Sequence, residues 1–276
     1  MKIGLLVDIT ENFEEKIRHA KSLGFDFGQL VVWDMDFYTE ENLKALKKLL
    51  AVLDFTVTDL WCGWSEPVVW KHPDKYKTLG LVPIEYRKKR LEELKRGGRF
   101  AYDLGVKNII SHTGFIPDDP FAEAHIGVVD ALKELCSELK ERGQSFSFET
   151  GEELPLTLSI MIGEIGLDNV FVNFDPANLL SSGRANPCDA MDLLGCRVTG
   201  FHAKDSIPPK FGDVSGKQTP IGEGKVDFER LFRQLKDIGY SGDIVIEHEM
   251  YNRPDRDGDI LKSKQYLEEL INSVGI

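Results

Sequence analysis

Apolar residues along this chain recur in two alternating rhythms. Short runs dense in β-branched and aromatic residues are each followed by a longer stretch in which apolar residues return every three or four positions. The first rhythm predicts buried strands, the second amphipathic helices. Eight strand segments stand out: KIGLLVD (2–8), FGQLVVW (27–33), FTVTDLWC (55–62), VKNIISHTG (106–114), SFSFET (145–150), VFVNFD (170–175), VTGFHAKD (198–205) and GDIVIEHE (242–249). Helical spacing is clearest at 39–53, where Leu43, Leu46, Leu49 and Leu50 share a face, and at 226–239, where Phe228, Leu231, Phe232 and Leu235 do. Gly24, Gly105, Gly143 and Gly239 stand just before the next strand, where a helix C-terminus favours glycine.

Eight strand–helix units in 276 residues predict a (β/α)8 TIM barrel, an α/β fold, forming a single domain over 1–276. An open doubly wound sheet would bring a glycine-rich phosphate loop after the first strand, and LLVDITENFEE holds no glycine. No internal repeat, low-complexity tract or Pro/Ser-rich linker divides the chain. The longest stretches without periodicity, 63–83 and 206–225, follow strands, at the end where barrels keep their active sites.

SFSFET puts Ser145, Ser147 and Glu149 on one face and Phe146 and Phe148 on the other. In a barrel, residues of one parity point inward, and the last inward residue of each strand opens onto the catalytic rim. By that rule the fifth strand ends inward on Glu149, the sixth on Asp175, the seventh on His202 and the eighth on Glu247. Their outward neighbours are Phe148, Phe174, Phe201 and Ile246, suited to packing against helices. A lone rim carboxylate is more often a salt-bridge partner or helix cap. Three converging carboxylates repel unless protonated or neutralised, and a divalent cation removes the difficulty. Three oxygen donors and one imidazole suit one ion, Mn²⁺ ahead of Mg²⁺, Co²⁺ or Zn²⁺.

Composition narrows the partners. The net charge of −12 opposes nucleic acid and anionic membrane surfaces alike. No apolar stretch approaches the roughly 20 residues of a membrane span. The first apolar run is broken by Asp8, which reads as a strand and predicts a cytoplasmic protein. Cys62, Cys136, Cys188 and Cys196 lack metal-site spacing and read as reduced, buried thiols.

The segments YRKKRLEELKRGGRFAYDLGVKNIISHTG (86–114), FETGEE (148–153), NFDPANLL (173–180), FHAKD (201–205), PIGEGKVDF (220–228) and GYSGDIVIEHE (239–249) run in a familiar order. Through them the chain resembles the sugar isomerase/epimerase superfamily with a xylose isomerase-like TIM barrel, which includes ketose 3-epimerases, inosose-pathway enzymes and an AP-endonuclease branch. The likeness covers strands four to eight and weakens upstream. It implies one divalent metal held by Glu149, Asp175, His202 and Glu247, with Glu149 and Glu247 as acid and base on a sugar or sugar phosphate. The residue types suit that chemistry. Epimerisation removes a proton from a carbon beside C=O, and a cation next to the carbonyl and hydroxyl oxygens stabilises the enediolate.

Several further residues are candidates for substrate contact. His112 ends the fourth strand with inward parity, as a hydroxyl donor or a barrel hydrogen-bonding residue. Asn178 stands where many relatives carry a histidine, which weakens a multi-metal site and leaves an amide to bind substrate or orient a ligand. Lys204 could hold a hydroxyl, an enediolate oxygen or a phosphate, or pair with Glu149 or Asp175. Glu152 and Glu153 are expected in solvent, and His248 is expected to point away from the metal. All four tryptophans lie between 33 and 70; Trp33 and Trp61 are the better candidates for stacking on a sugar, Trp64 and Trp70 for loop packing. Lys and Arg in 76–89 and 206–218 could meet a phosphate or be solvated. The favoured reading is a metal-dependent isomerase/epimerase acting on a ketose or its phosphate. The alternatives are a dehydratase on an inosose-type substrate, an AP-endonuclease-like hydrolase, which the acidic charge and Asn178 oppose, and a noncatalytic sugar-binding barrel. A homo-oligomer is compatible with the sequence.

Overall fold

A computed structural model describes residues 1–9 and 12–276. Thr10 and Glu11, in the glycine-free segment LLVDITENFEE, lie outside the described residues. Eight parallel strands close into a barrel: β1 (Ile3–Asp8), β2 (Phe27–Val32), β3 (Thr56–Cys62), β4 (Asn108–Ser111), β5 (Ser145–Glu149), β6 (Val170–Phe174), β7 (Val198–Ala203) and, last in the ring, β10 (Ile244–Ile246). Between β7 and β10 the chain inserts an antiparallel hairpin, β8 (Asp205–Ile207) and β9 (Lys217–Thr219), within the stretch that lacked periodicity. β10 pairs with β1, which closes the ring of the eight barrel strands. This is the single-domain TIM barrel expected from the alternating rhythms.

The strands are shorter than the apolar runs, most of all β4 and β10, because the last residues of each run leave the ladder to build the rim. Outward residues Phe146, Phe148, Phe174 and Phe201 are buried between sheet and helices with Leu132, Leu135, Phe228 and Phe232. The helix Glu40–Leu53 begins on Thr39, whose side chain accepts from the Asn42 N–H. Gly24, Gly105, Gly143 and Gly239 all adopt positive φ. Cys62, Cys136 and Cys188 are buried, as expected, whereas Cys196 is exposed at the turn before β7. Among the described residues no helix is long and apolar enough to cross a membrane.

Inside the barrel the filling is unusually polar. Gln29, Asn108, Ser147 and Asn173 project inward beneath the rim, where many such barrels stack branched apolar residues. Room for Asn173 comes from β7: a Cβ on Gly200 would lie 2.2 Å from Asn173 Oδ1.

Candidate active site

The C-terminal ends of the strands surround a cavity of about 970 Å³. At its floor, Glu149, Asp175, His202 and Glu247 each offer a ligand atom, and these atoms all lie within 4.8 Å of one another. All four residues are buried. The register staggers them: Glu149 lies opposite Asn173, one inward position below Asp175, and His202 lies opposite Val245, one inward position below Glu247. Asp175 has left the ladder to cap the helix Pro176–Ser181, accepting from Asn178 N at 2.8 Å through Oδ1. Its other oxygen is buried with no hydrogen-bond partner, as is Oε2 of Glu247, which lies 2.9 Å from His202 Nδ1 without completing a hydrogen bond. Orphaned carboxylate oxygens facing one imidazole nitrogen are the donor set a hard or borderline divalent cation takes.

The electrostatics agree. Burial pushes the Asp175 carboxyl well above the usual range, and the Lys204 charge only partly opposes it. Burial would also raise Glu149 and Glu247, but there it is outweighed. His112 and His202 hold Glu149 low, and Lys204 and His202 hold Glu247 low. Burial works against the His202 cation, yet the charges of Glu149 and Glu247 draw its pKa well up. The imidazole is thus favoured as a cation among the carboxylates.

Each of the two glutamates is gripped. The Trp61 indole N–H donates to Glu149 Oε2, and the Asn178 amide donates to Oε1 at 3.1 Å. Trp61 therefore holds a carboxylate as well as lining the cavity, and the Asn178 amide is turned to that same carboxylate. Lys204, buried, donates to Glu247 Oε1 at 3.0 Å, contacts Glu249, and lies 3.8 Å from Asp175. His112 lines the cavity with Nδ1 3.1 Å from the Glu149 carbonyl and 2.8 Å from Glu152 Oε2. Burial would lower its pKa, but Glu152 and Glu149 lift it to about 10. Glu152 and Glu153 are accordingly not solvated: both are buried, and burial with the Glu152 charge raises Glu153 to about 8. Sequence offered no sign of this, because the histidine that draws Glu152 inward stands just past β4, 40 positions away.

Trp33, Trp61 and Trp70 form one wall of the cavity. Trp33 and Trp61 are 4.8 Å apart between centroids; Trp70, 46% exposed, packs edge-on to Trp33 and 5.5 Å from the His112 ring. Trp64 is buried behind them, against Arg90. Trp70, the weaker candidate by sequence, thus lines the cavity beside Trp33 and Trp61. The loop is fastened from below by Arg90, whose guanidinium donates to the carbonyls of Thr78, Gly80 and Pro67, each at 2.7 Å, and of Ser65 at 3.3 Å. Arg87 likewise bonds the Leu81 and Val82 carbonyls, so both arginines serve the loop and not a phosphate. Gly80 sits at φ +67 so close to β4 that a Cβ would fall 2.1 Å from the Thr113 carbonyl carbon. His248 faces Asp259 at 3.6 Å, away from the quartet, yet borders the cavity elsewhere. One participant was not foreseen: Gln29 on β2, whose Oε1 meets His202 Nε2 at 2.7 Å.

Comparison with known proteins gives the same geometry a lineage. A family model described as xylose isomerase-like TIM barrel matches residues 17–270. The chain is 28% identical to an L-ribulose-5-phosphate 3-epimerase (UlaE) of Shigella boydii over 275 residues, covering 95% of this chain and 91% of that protein. A crystal structure of a xylose isomerase domain protein from Planctomyces limnophilus superposes with a TM-score of 0.93 at 26% identity, over 99% of this chain and 98% of that one. A D-tagatose 3-epimerase-like protein shares the fold at a TM-score of 0.75 and 22% identity, over 100% of this chain and 98% of that one. With eight parallel strands, an acidic rim and a match running nearly end to end, the chain belongs to the xylose isomerase-like TIM barrel family.

Proposed function

We propose that this protein is a divalent-metal-dependent isomerase/epimerase of a ketose or ketose phosphate, with Glu149, Asp175, His202 and Glu247 as metal ligands and Glu149 and Glu247 as the acid/base pair. The observation that carries this reading is the quartet itself, four buried ligand atoms within 4.8 Å at the floor of an aromatic-walled cavity. A divalent cation bound there supplies a Lewis acid beside the substrate carbonyl. One glutamate, as the carboxylate, takes the proton from the carbon next to the carbonyl while the C–H electron pair moves onto the oxygen; the other, entering the step as the carboxylic acid, gives its proton to the opposite face and is left as the carboxylate. Trp61 and Asn178 fix the plane of Glu149 for this transfer, while the Lys204 ammonium adds positive charge where the oxygen becomes negative. His112 donates to a substrate hydroxyl, and Trp33 and Trp70 stack on the sugar and keep water out. The epimerase names borne by relatives support an enzyme of this kind, and Mn²⁺ is the first ion to try.

The test is incubation of the Mn²⁺-loaded protein with a panel of free and phosphorylated ketoses in D₂O. A new epimer that carries deuterium at the reacting carbon is expected. Glu149→Gln and Glu247→Gln should each slow interconversion by roughly 10²–10⁴-fold, and one of them should still exchange one epimer's hydrogen. Near-wild-type interconversion by both variants would leave the two glutamates as ligands only. A dehydrated product in place of an epimer would move the protein to the lyases.

A further inference from the structure

The metal-binding reading leaves a question about His202. A neutral imidazole carries its hydrogen on one nitrogen only, and it can bind a cation only through the other. His202 presents Nδ1 to the quartet, 3.2 Å from Glu149 Oε1 and 2.9 Å from Glu247 Oε2. Its Nε2 lies 2.7 Å from Gln29 Oε1. A glutamine amide has two ends, and turned over it would offer N–H to Nε2 and force the hydrogen onto Nδ1, against the cation. What keeps it from turning is on the next strand. Gln29 Nε2 donates to Asp59 Oδ2 at 3.0 Å, and an ionised carboxylate only accepts. Asp59 is itself held: Asn108 donates to Oδ1 at 2.7 Å, and the Ser145 and Ser147 hydroxyls donate to Asn108 Oδ1 at 2.8 and 3.1 Å.

We infer that Gln29 and Asp59 are positioning residues that fix His202 as the Nε2–H tautomer and so hold Nδ1 open for the metal. The chain of donors runs in one direction, from His202 through Gln29 to Asp59, and this accounts for Gln29, Asn108 and Ser147 in the barrel below the rim. Gln29 is 1% exposed, so no solvent can stand in for it. The inference rests on the proposed metal site, and the experiment separates the two.

Mn²⁺ affinity is measured by the electron paramagnetic resonance signal of the free ion, alongside melting of the metal-free proteins. Gln29→Leu removes the acceptor and is expected to weaken Mn²⁺ binding by about 10–100-fold, the usual effect of losing a group that orients a ligand. Gln29→Glu keeps an acceptor for His202, with one proton shared between the new carboxyl and Asp59 in place of the amide N–H, and should recover affinity to within several-fold of wild type. Asp59→Ala leaves every atom that touches His202 in place and frees the amide to turn, so it too should bind less tightly, and it serves if Gln29→Leu does not fold. With Zn²⁺ bound, ¹⁵N resonances should show the His202 hydrogen on Nε2. Wild-type affinity in both Gln29→Leu and Asp59→Ala, or a hydrogen on Nδ1, overturns the inference while leaving the metal site standing. Absence of Mn²⁺ binding by the wild-type protein removes both.

Discussion

Replacing Arg90 with methionine tests how the tryptophan wall is held. The side chain is 1% exposed and has no carboxylate partner closer than the loop carbonyls it serves. Burial lowers its pKa to about 10, so it remains a cation at neutral pH. Methionine fills similar volume but leaves the carbonyls of Thr78, Gly80 and Pro67 without a donor. A buried polar group left unpaired costs about 1–3 kcal/mol. Three of them, with the loop opening enough to hydrate some, give a loss of about 3–5 kcal/mol. For a chain of this size that is a fall in melting temperature of about 6–10 °C, within what a domain of ordinary stability survives. Circular dichroism reports the melting. Because all four tryptophans lie in or against this wall, intrinsic fluorescence reports the loop directly. KM for the substrate should rise more than kcat falls, since Trp70 is displaced and the quartet is not. Lysine, a point charge with the wrong reach, should fall between wild type and methionine. A melting temperature within about 2 °C of wild type for Arg90→Met, with unchanged fluorescence, would refute the clamp.

Two further outcomes follow from the charges. Chelation should lower the melting temperature of wild-type protein at neutral pH, because the proposed cation would bind only the folded quartet, and Asp175→Ala or His202→Ala should abolish that difference along with the metal content read by elemental analysis. His125, buried, meets the Pro117 carbonyl at 2.8 Å and Glu164 at 2.7 Å, and these with Asp119 raise its pKa although burial alone would lower it. A raised folded-state pKa contributes stability in full below the unfolded value of about 6.5, and that stability is lost as pH climbs through the folded value. The difference in unfolding free energy between wild type and His125→Leu, from urea titrations, should therefore shrink from mildly acidic to alkaline pH; a pH-independent difference would count against the ion pair.

The barrel was legible because its signal is repeated: each strand carries the same alternation, and parity alone carried Glu149, Asp175, His202 and Glu247 to one rim. What escaped depends on partners far apart in sequence. Gln29 sits in an apolar run with nothing near it to suggest a ligand 173 positions away. Glu152 and Glu153 look like loop charges until His112 is seen beside them. Trp70 reads as packing in a loop without periodicity, and only the Arg90 carbonyl bonds show that the loop has a fixed shape against the cavity.

The quartet stands at or just past the ends of β5, β6, β7 and β10, whereas the tryptophan wall stands at the ends of β2 and β3 and in the loop after β3. Two halves of one ring thus carry different burdens, and they meet at few atoms, the Trp61 indole on Glu149 and Gln29 on His202. A chain built this way can exchange the segment between β3 and β4 for another of different shape and leave the carboxylates where they are. If the proposed function holds, transplanting residues 63–83 between relatives, with Trp61, Gln29 and Arg90 kept, should alter sugar preference while leaving the quartet in place.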